Sequence, residues 1–249
     1  MLKTLLTRFE QGNKTSTYPR KDIHLVEDYR GAPEINGNCP EEIVNLCVEN
    51  CPQNALNART REIDLGKCVF CGTCQSIVKG QFVRFTNKFE LGATIRQQLI
   101  IKNRLDDLAI VSKKHIRKLF GRTLQLRQVS AGGCNACEAD VNVLGTPFFD
   151  MARFGIQFVA SPRHADGMFV TGPVTQNMKT ALLKTYEAIP EPKIVIASGA
   201  CAISGGPFYG SPDIVEWINR LIPVDLFIPG CPPHPMTTLH ALLKFLGRV

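Results

Sequence analysis

The chain has 249 residues, 44% of them hydrophobic, which is enough for one large domain or two modest ones with a real core. Its formal net charge is +7, and its ten cysteines are too few for a small disulfide scaffold and many for an ordinary cytosolic enzyme. No basic-aromatic motif accompanies the charge, which argues against nucleic acid as a partner. No apolar run approaches the roughly 18 residues of a membrane span, and the opening MLKTLLTRFEQGNK holds no signal-peptide core. The chain therefore reads as soluble and cytoplasmic, with reduced thiols free to bind metal.

Residues 1–91 hold six of the ten cysteines, many Asn, Pro and Gly, and only short apolar runs. Their centre is GKCVFCGTCQSIVKGQF, residues 66–82. Cys68, Cys71 and Cys74 have the C-x2-C-x2-C spacing of a ferredoxin run, but Val78 and Lys79 stand where a fourth cysteine and a proline belong. In two-cluster ferredoxins the fourth cysteine of each run serves the other run's cluster. Cys51, followed by Pro52, supplies that residue. The spacing predicts one [4Fe–4S] cluster on Cys51, Cys68, Cys71 and Cys74. The partner cluster keeps only Cys47 of its four positions, the others being Glu41, Val44 and Val78, with Cys39 two residues upstream of the first. Cys39 and Cys47 are expected as packing thiols. The competing reading is zinc, which usually takes paired C-x2-C ligands.

Residues 92–122 lack cysteine and proline. IRQQLIIKNRLDDLAIVSKKHIRKLFGR (95–122) reads as one or two amphipathic helices. Lys113, Lys114, Arg117, Lys118 and Arg122 form a basic cluster, with Ile116, Leu119 and Phe120 interleaved. Such a segment either docks on a membrane arm or anionic headgroups, or is a solvated helix joining two domains.

Residues 123–249 alternate strand-like runs at 124–130, 156–160, 167–172, 193–198 and 224–230 with helical patterns. Met178, Ala181, Leu182 and Tyr186 share one helical face, and Leu239, Leu242, Leu243 and Leu246 another. The alternation predicts an α/β domain with a flavodoxin-like parallel sheet, beside a smaller N-terminal α+β ferredoxin-like domain. No phosphate-loop or dinucleotide spacing follows any strand. Cys134 and Cys137 follow the first strand, Cys201 the fourth and Cys231 the fifth. Carboxyl ends of parallel strands share one rim, so these four thiols are expected to converge there.

GGCNACEAD (132–140), RFGIQFVASPRHADGMFVTGPVT (153–175), ASGACAISGG (197–206) and VDLFIPGCPPHP (224–235) resemble the small subunit of membrane-bound, energy-converting [NiFe] hydrogenases of the formate hydrogenlyase type, a family that includes the 20-kDa-type subunit of complex I. TSTYPR, YRGAPE and DLGKCVFCGTC are similar to the ferredoxin subunit of formate hydrogenlyase-type complexes, so the chain resembles a fusion of two neighbouring subunits. The Cys134-x2-Cys137 spacing matches the hydrogenase side; complex I subunits carry adjacent cysteines there.

The resemblance implies that Cys134, Cys137, Cys201 and Cys231 bind a second, proximal [4Fe–4S] cluster next to the site of a separate large subunit. It implies that Glu138 faces that subunit, on its proton path, although a carboxylate in a helix's first turn is also favoured by the dipole alone. It places Arg163 and His164 near the interface. It further implies membrane-arm subunits, an electron-input partner such as a ferredoxin-like or formate dehydrogenase subunit, and a peripheral place on the cytoplasmic side of the membrane. The chain is then an electron-transfer subunit without a substrate site of its own. A complex I-like module acting on quinone or a sulfur substrate is the alternative among oxidoreductases; a zinc-stabilised interaction protein is the alternative outside them.

Overall fold

The computed structural model describes residues 2–102, 108–111, 114–120, 123–215 and 218–249. It opens on helix α1 (Leu2–Gln11), none of whose residues is buried. The N-terminal region proper follows. Strand β1 (Pro33–Ile35) leads to α2 (Glu41–Glu49), which starts after Pro40 with Glu41 and Glu42 in its first turn, where the helix dipole favours acids. Val44 and Cys47, three residues apart, form its buried face. A hairpin joins β2 (Leu56–Asn57) to β3 (Glu62–Asp64), its turn braced by the Asn57 side chain accepting from the amides of Arg59 and Thr60. Short α3 (Thr73–Ile77) and β4 (Val83–Phe85) follow, and β4 pairs antiparallel with β1.

Residues 95–101 depart from the expected helix. Arg96–Leu99 makes a single 3-10 turn, and β5 (Ile100–Ile101) pairs antiparallel with β3. Leu99 and Ile101 are buried while Ile100 is exposed, a strand-like alternation that the pairing with β3 enforces. A helix does form at α4 (Lys114–Phe120). Its Ile116 and Phe120, four residues apart, are buried in the protein's own core, leaving Leu119 and Lys118 outward. Lys113 and Arg122, and the side chains of Lys114 and Arg117, lie outside the described residues, so the basic cluster as a unit does too.

The C-terminal part is built on β6 (Leu124–Ser130), α5 (Ala136–Val143), β7 (Ile156–Phe158), β8 (Gly167–Thr171), β9 (Val174–Thr175), α6 (Gln176–Ala188), β10 (Ile194–Ser198), α7 (Ala200–Ser204), β11 (Ile214–Val215), β12 (Leu226–Ile228) and α8 (Pro235–Phe245). Five strands form one parallel sheet in the order β12-β10-β8-β6-β7, while β9 and β11 make a separate antiparallel pair. Numbered within the sheet the order is 2-1-3-4-5, one of the two common doubly wound arrangements. The register aligns Ser130, Thr171, Ser198 and Ile228 in one row at the carboxyl ends of β6, β8, β10 and β12.

Side chains alternate across this sheet. Leu124, Leu126, Phe169, Ile194, Ile196, Leu226 and Ile228 point to one core, shared with α5, α8, Tyr18 and Phe89. Val129, Met168, Val170, Val195, Ala197 and Phe227 point to the other, which is continuous with the N-terminal core of Val44, Cys47, Leu65, Phe82 and Leu99. The N-terminal region therefore packs onto a face of the sheet. The start of the following segment covers the sheet's edge: Ala93 exchanges both backbone hydrogen bonds with Phe227, at 3.0 and 2.8 Å, which satisfies a strand that would otherwise be open to pairing. On α8 and its C-cap the expected leucines are all buried; on α6 Leu182 is buried and Met178 and Tyr186 are half-buried, but Ala181 is exposed and Leu183 packs instead.

Candidate functional site

Eight of the cysteines stand around two pockets, four to each. Cys51, Cys68, Cys71 and Cys74 line the first, of about 330 Å³, with Ala55, Leu56, Ile63 and Phe85 as apolar walls. Cys134, Cys137, Cys201 and Cys231 line the second, of about 300 Å³. These are the two sets expected from the sequence.

The first pocket is made by chain crossing. Cys51 comes off the end of α2, whereas Cys68, Cys71 and Cys74 lie on the loop that runs into α3. That loop turns tightly because Phe70 and Gly72 both have positive φ, 54° and 79°. Backbone amides point at the sulfurs: Ala55 N donates to Cys51 Sγ at 3.3 Å and Phe70 N to Cys68 Sγ at 3.4 Å. Thr73 Oγ1 lies 3.2 Å from Cys71 Sγ. Cys47 sits outside the set, buried, with its thiol 3.4 Å from the carbonyl of Cys74. Cys39 is also buried, and neither lines the pocket.

The second pocket lies at the rim of the parallel sheet, beyond the row Ser130–Thr171–Ser198–Ile228. Cys134 comes from the β6–α5 connection, Cys137 from the first turn of α5, Cys201 from α7 after β10, and Cys231 from the loop after β12. Two glycines make room for sulfur. A Cβ on Gly199, whose φ is +91°, would stand 2.8 Å from Cys137 Sγ, and one on Gly206 would stand 2.8 Å from Cys201 Sγ. No side chain larger than hydrogen fits at either position without moving a thiol.

Both sets are costly as free thiolates. Burial pushes Cys68 and Cys137 well above the ordinary thiol range, and neighbouring thiols push in the same direction. Burial and nearby thiols likewise raise Cys74 and Cys201 to about 12. Four thiolates can share such a pocket only with a cationic centre among them. Among the described residues no three His, Cys, Asp or Glu groups are drawn together tightly enough for a single metal ion. Four thiols spread round a pocket, with amides aimed at two of the sulfurs in the first, fit a cubane cluster.

Glu138, in the first turn of α5, also lines the second pocket, but it turns inward. It is 8% exposed and accepts a 2.7 Å hydrogen bond from Thr171 Oγ1. Burial alone would raise its pKa; hydrogen bonds from Ser130 and Thr171 outweigh that and hold the carboxyl below its ordinary value. Arg163 and His164 lie in a 3-10 turn and are exposed.

Between the two pockets runs a cleft of about 770 Å³, and Cys71 of the first set and Cys231 of the second both line it. Tyr29, Arg30 and His234 line it as well. Arg30 Nη1 donates to the carbonyls of Phe70 and Cys71 at 2.9 and 3.0 Å. The Tyr29 hydroxyl lies 3.1 Å from Thr237 Oγ1, and its ring centroid lies 5.1 Å from that of His234. No role for Tyr29 or Arg30 is legible in the sequence; the only signal is that YRGAPE is one of the stretches carrying the resemblance.

A family model described as NADH ubiquinone oxidoreductase, 20 Kd subunit, matches residues 134–245. Over 132 residues the chain is 45% identical to the probable membrane-bound hydrogenase subunit mbhJ of Pyrococcus furiosus, a match that covers 53% of this chain and 79% of that protein. The chain belongs to this family. Members are subunits of hydrogenases and NADH-quinone oxidoreductases: formate hydrogenlyase subunit 7 of Escherichia coli is 40% identical over 143 residues, which is 57% of this chain and 56% of that protein. An NADH-quinone oxidoreductase subunit of Roseiflexus sp. is 48% identical over 118 residues, 47% of this chain and 44% of that protein. The chain thus spans about half the length of these last two relatives. The family model takes in all four cysteines of the second pocket and begins at Cys134, so the first pocket lies outside it.

Proposed function

We propose that this chain is an electron-transfer subunit of a membrane-associated group 4 [NiFe] hydrogenase complex of the formate hydrogenlyase kind. Its units are a ferredoxin-like part (1–91), a linker (92–122) and a flavodoxin-like α/β part (123–249). The observation that carries the reading is the pairing of two four-cysteine pockets of nearly equal size on either side of one cleft. A [4Fe–4S] cluster in each pocket would supply a one-electron carrier.

The chain's own groups do the rest. Cys51, Cys68, Cys71 and Cys74 hold the first centre, and Cys134, Cys137, Cys201 and Cys231 hold the second, proximal one. The amides of Ala55 and Phe70 offset negative charge on the first set's sulfurs. Arg30 fixes the loop of Cys71 and places a guanidinium beside it. Cys71 and Cys231 are exposed to the cleft that joins the sites, which sets the passage between them. Cys134 is exposed on the rim where a large subunit carrying the chemistry would dock. Glu138 lies buried behind it, bonded to Thr171, and would act on that contact only from within the pocket wall. Membrane-arm subunits and an electron-input subunit complete the assembly, on the cytoplasmic face. Among the described residues no helix is long and apolar enough to cross a membrane.

Anaerobic purification followed by iron and labile-sulfide counting, with EPR on the reduced sample, tests this. About eight irons per chain corresponds to two cubane clusters. About four removes the first site from the reading, and zinc without labile sulfide replaces the reading with a zinc-stabilised interaction protein. The similarity to NADH-quinone oxidoreductase subunits favours a second reading, a complex I-like module acting on quinone or a sulfur substrate. Nickel analysis of the isolated complex separates the two: nickel retained with the large subunit supports hydrogenase, and its absence there supports the second.

A further inference from the structure

Helix α1 lines neither cysteine pocket, and none of its residues is buried among the described residues. All its residues are exposed, including Leu2 at 74%, Leu5 and Leu6 at 54% each, and Phe9 at 85%. Their spacing is i, i+3, i+4 and i+7, so at about 100° per residue the four side chains fall within an arc of about 100°. A helix of this length is marginal in water, where about 12–15 residues are needed even for good helix formers. Its apolar stripe needs a surface to lie on.

The charges around the stripe identify that surface. On the helical wheel Arg8 lies about 60° beyond one edge of the arc, while beyond the other edge Glu10 comes first, at about 40°, and Lys3 next, at about 60°. Thr4, Thr7 and Gln11 form the opposite face. Residues 2–14 carry Lys3, Arg8 and Lys14 against Glu10 alone, which sits beside Lys3. Cations at both rims of an apolar arc can bury their aliphatic stems while their heads reach the level of lipid phosphates.

We infer that α1 is an interfacial anchor that lays Leu2, Leu5, Leu6 and Phe9 into the outer part of a bilayer leaflet bearing anionic headgroups, with Lys3 and Arg8 on the phosphates. It holds the chain to the lipid directly, separately from any contact with membrane-arm subunits. The inference does not depend on what the cysteine pockets hold, since vesicle binding and iron content are read independently on the same preparation.

The test is flotation of the full-length, anaerobically purified chain with vesicles of equal parts phosphatidylglycerol and phosphatidylcholine, and with vesicles of phosphatidylcholine alone. The chain is expected to float with the anionic vesicles and to be released by high salt. Leu6→Ser with Phe9→Ser should reduce the bound fraction about tenfold or more. Lys3→Gln with Arg8→Gln should also reduce it about tenfold or more, at roughly fivefold per basic residue. Thr7→Ala, on the polar face, should leave it unchanged. No side chain of α1 is buried, so visible absorption and secondary structure should be identical in all variants. Failure to float, equal flotation with neutral vesicles, or flotation that survives the Leu6 and Phe9 changes overturns the inference. So does a result in which those changes convert a dimer to a monomer, or detach the chain from a delipidated complex, because the occupant of the stripe is then protein.

Discussion

Tyr29 and Arg30 are adjacent in sequence and reach opposite walls of the cleft between the two cysteine pockets. Arg30 bonds the carbonyls of Phe70 and Cys71 on one side, while Tyr29 bonds Thr237 and packs on His234 on the other. The guanidinium is a fixed positive charge beside the first set of thiols and, among the described residues, has no hydrogen bond to the second. Arg30→Ala is therefore expected to make the midpoint potential of the first centre more negative, on the order of tens of millivolts given solvent screening. The second centre should stay unchanged. Potentiometric EPR on the purified chain reads this; equal movement of both centres would show that the loop as a whole had shifted.

Gly199 separates cluster assembly from ligand identity. A methyl group there would stand 2.8 Å from Cys137 Sγ, and φ is +91°, a region alanine avoids. Gly199→Ala is expected to lower the iron content from about eight to about four per chain, as loss of one cubane requires. All eight cysteines remain in that variant. A normal iron count would mean that the thiol can retreat, and that the close approach is not a constraint.

Cys51 and Cys47 are four residues apart and have different expected fates. Cys51 lines the first pocket and accepts an amide hydrogen bond, whereas Cys47 is buried in α2 against the carbonyl of Cys74. Cys51→Ser should lose or degrade the first centre, with altered EPR line shape. Cys47→Ala should keep the iron and cost about 1 kcal/mol or somewhat more, as removal of a small buried group does. Iron loss with Cys47→Ala but not with Cys51→Ser would reverse the ligand assignment.

What the sequence reveals of this chain follows from what sequence patterns encode. The five sheet strands are legible because each is a short β-rich run between helical patterns, and their parallel order brings the four C-terminal cysteines to one rim. The place of Cys51 beside Cys68, Cys71 and Cys74 is legible because a Cys-Pro pair near a C-x2-C-x2-C run is distinctive. Residues 95–101 look helical in sequence because Ile95 and Leu99 also fit a helical period; pairing of Ile101 with Ile63, a non-local contact, decides for strand. Ala181 fits the helical face of α6, yet the neighbouring elements cover Leu183 instead. Tyr29 and Arg30 belong to no periodic element at all, and their partners lie some 200 and 40 residues away. Only the folded chain reveals them.

The Tyr18 hydroxyl lies 2.6 Å from Nδ1 of His240, and both residues are buried, joining the N-terminal segment to α8 across 222 positions. Burial, with Lys244 adding to it, lowers the His240 pKa to about 4, while burial chiefly raises that of Tyr18 to about 12. Both groups are therefore neutral at pH 7, and the tautomer of His240 sets which of them donates. Unfolded histidine takes up a proton near its ordinary pKa of about 6.5, whereas the folded one stays neutral until near 4. Stability should therefore fall as pH drops from about 6.5 towards 4, by up to about 1.4 kcal/mol per pH unit from this group. Tyr18→Phe should cost about 1–3 kcal/mol at neutral pH, because it leaves Nδ1 buried without its hydrogen-bond partner. Anaerobic denaturant unfolding at pH 7 and pH 5 measures both. His240→Asn should reduce the stability difference between the two pH values; if the difference is the same as in the unaltered chain, another group is responsible for the acid sensitivity.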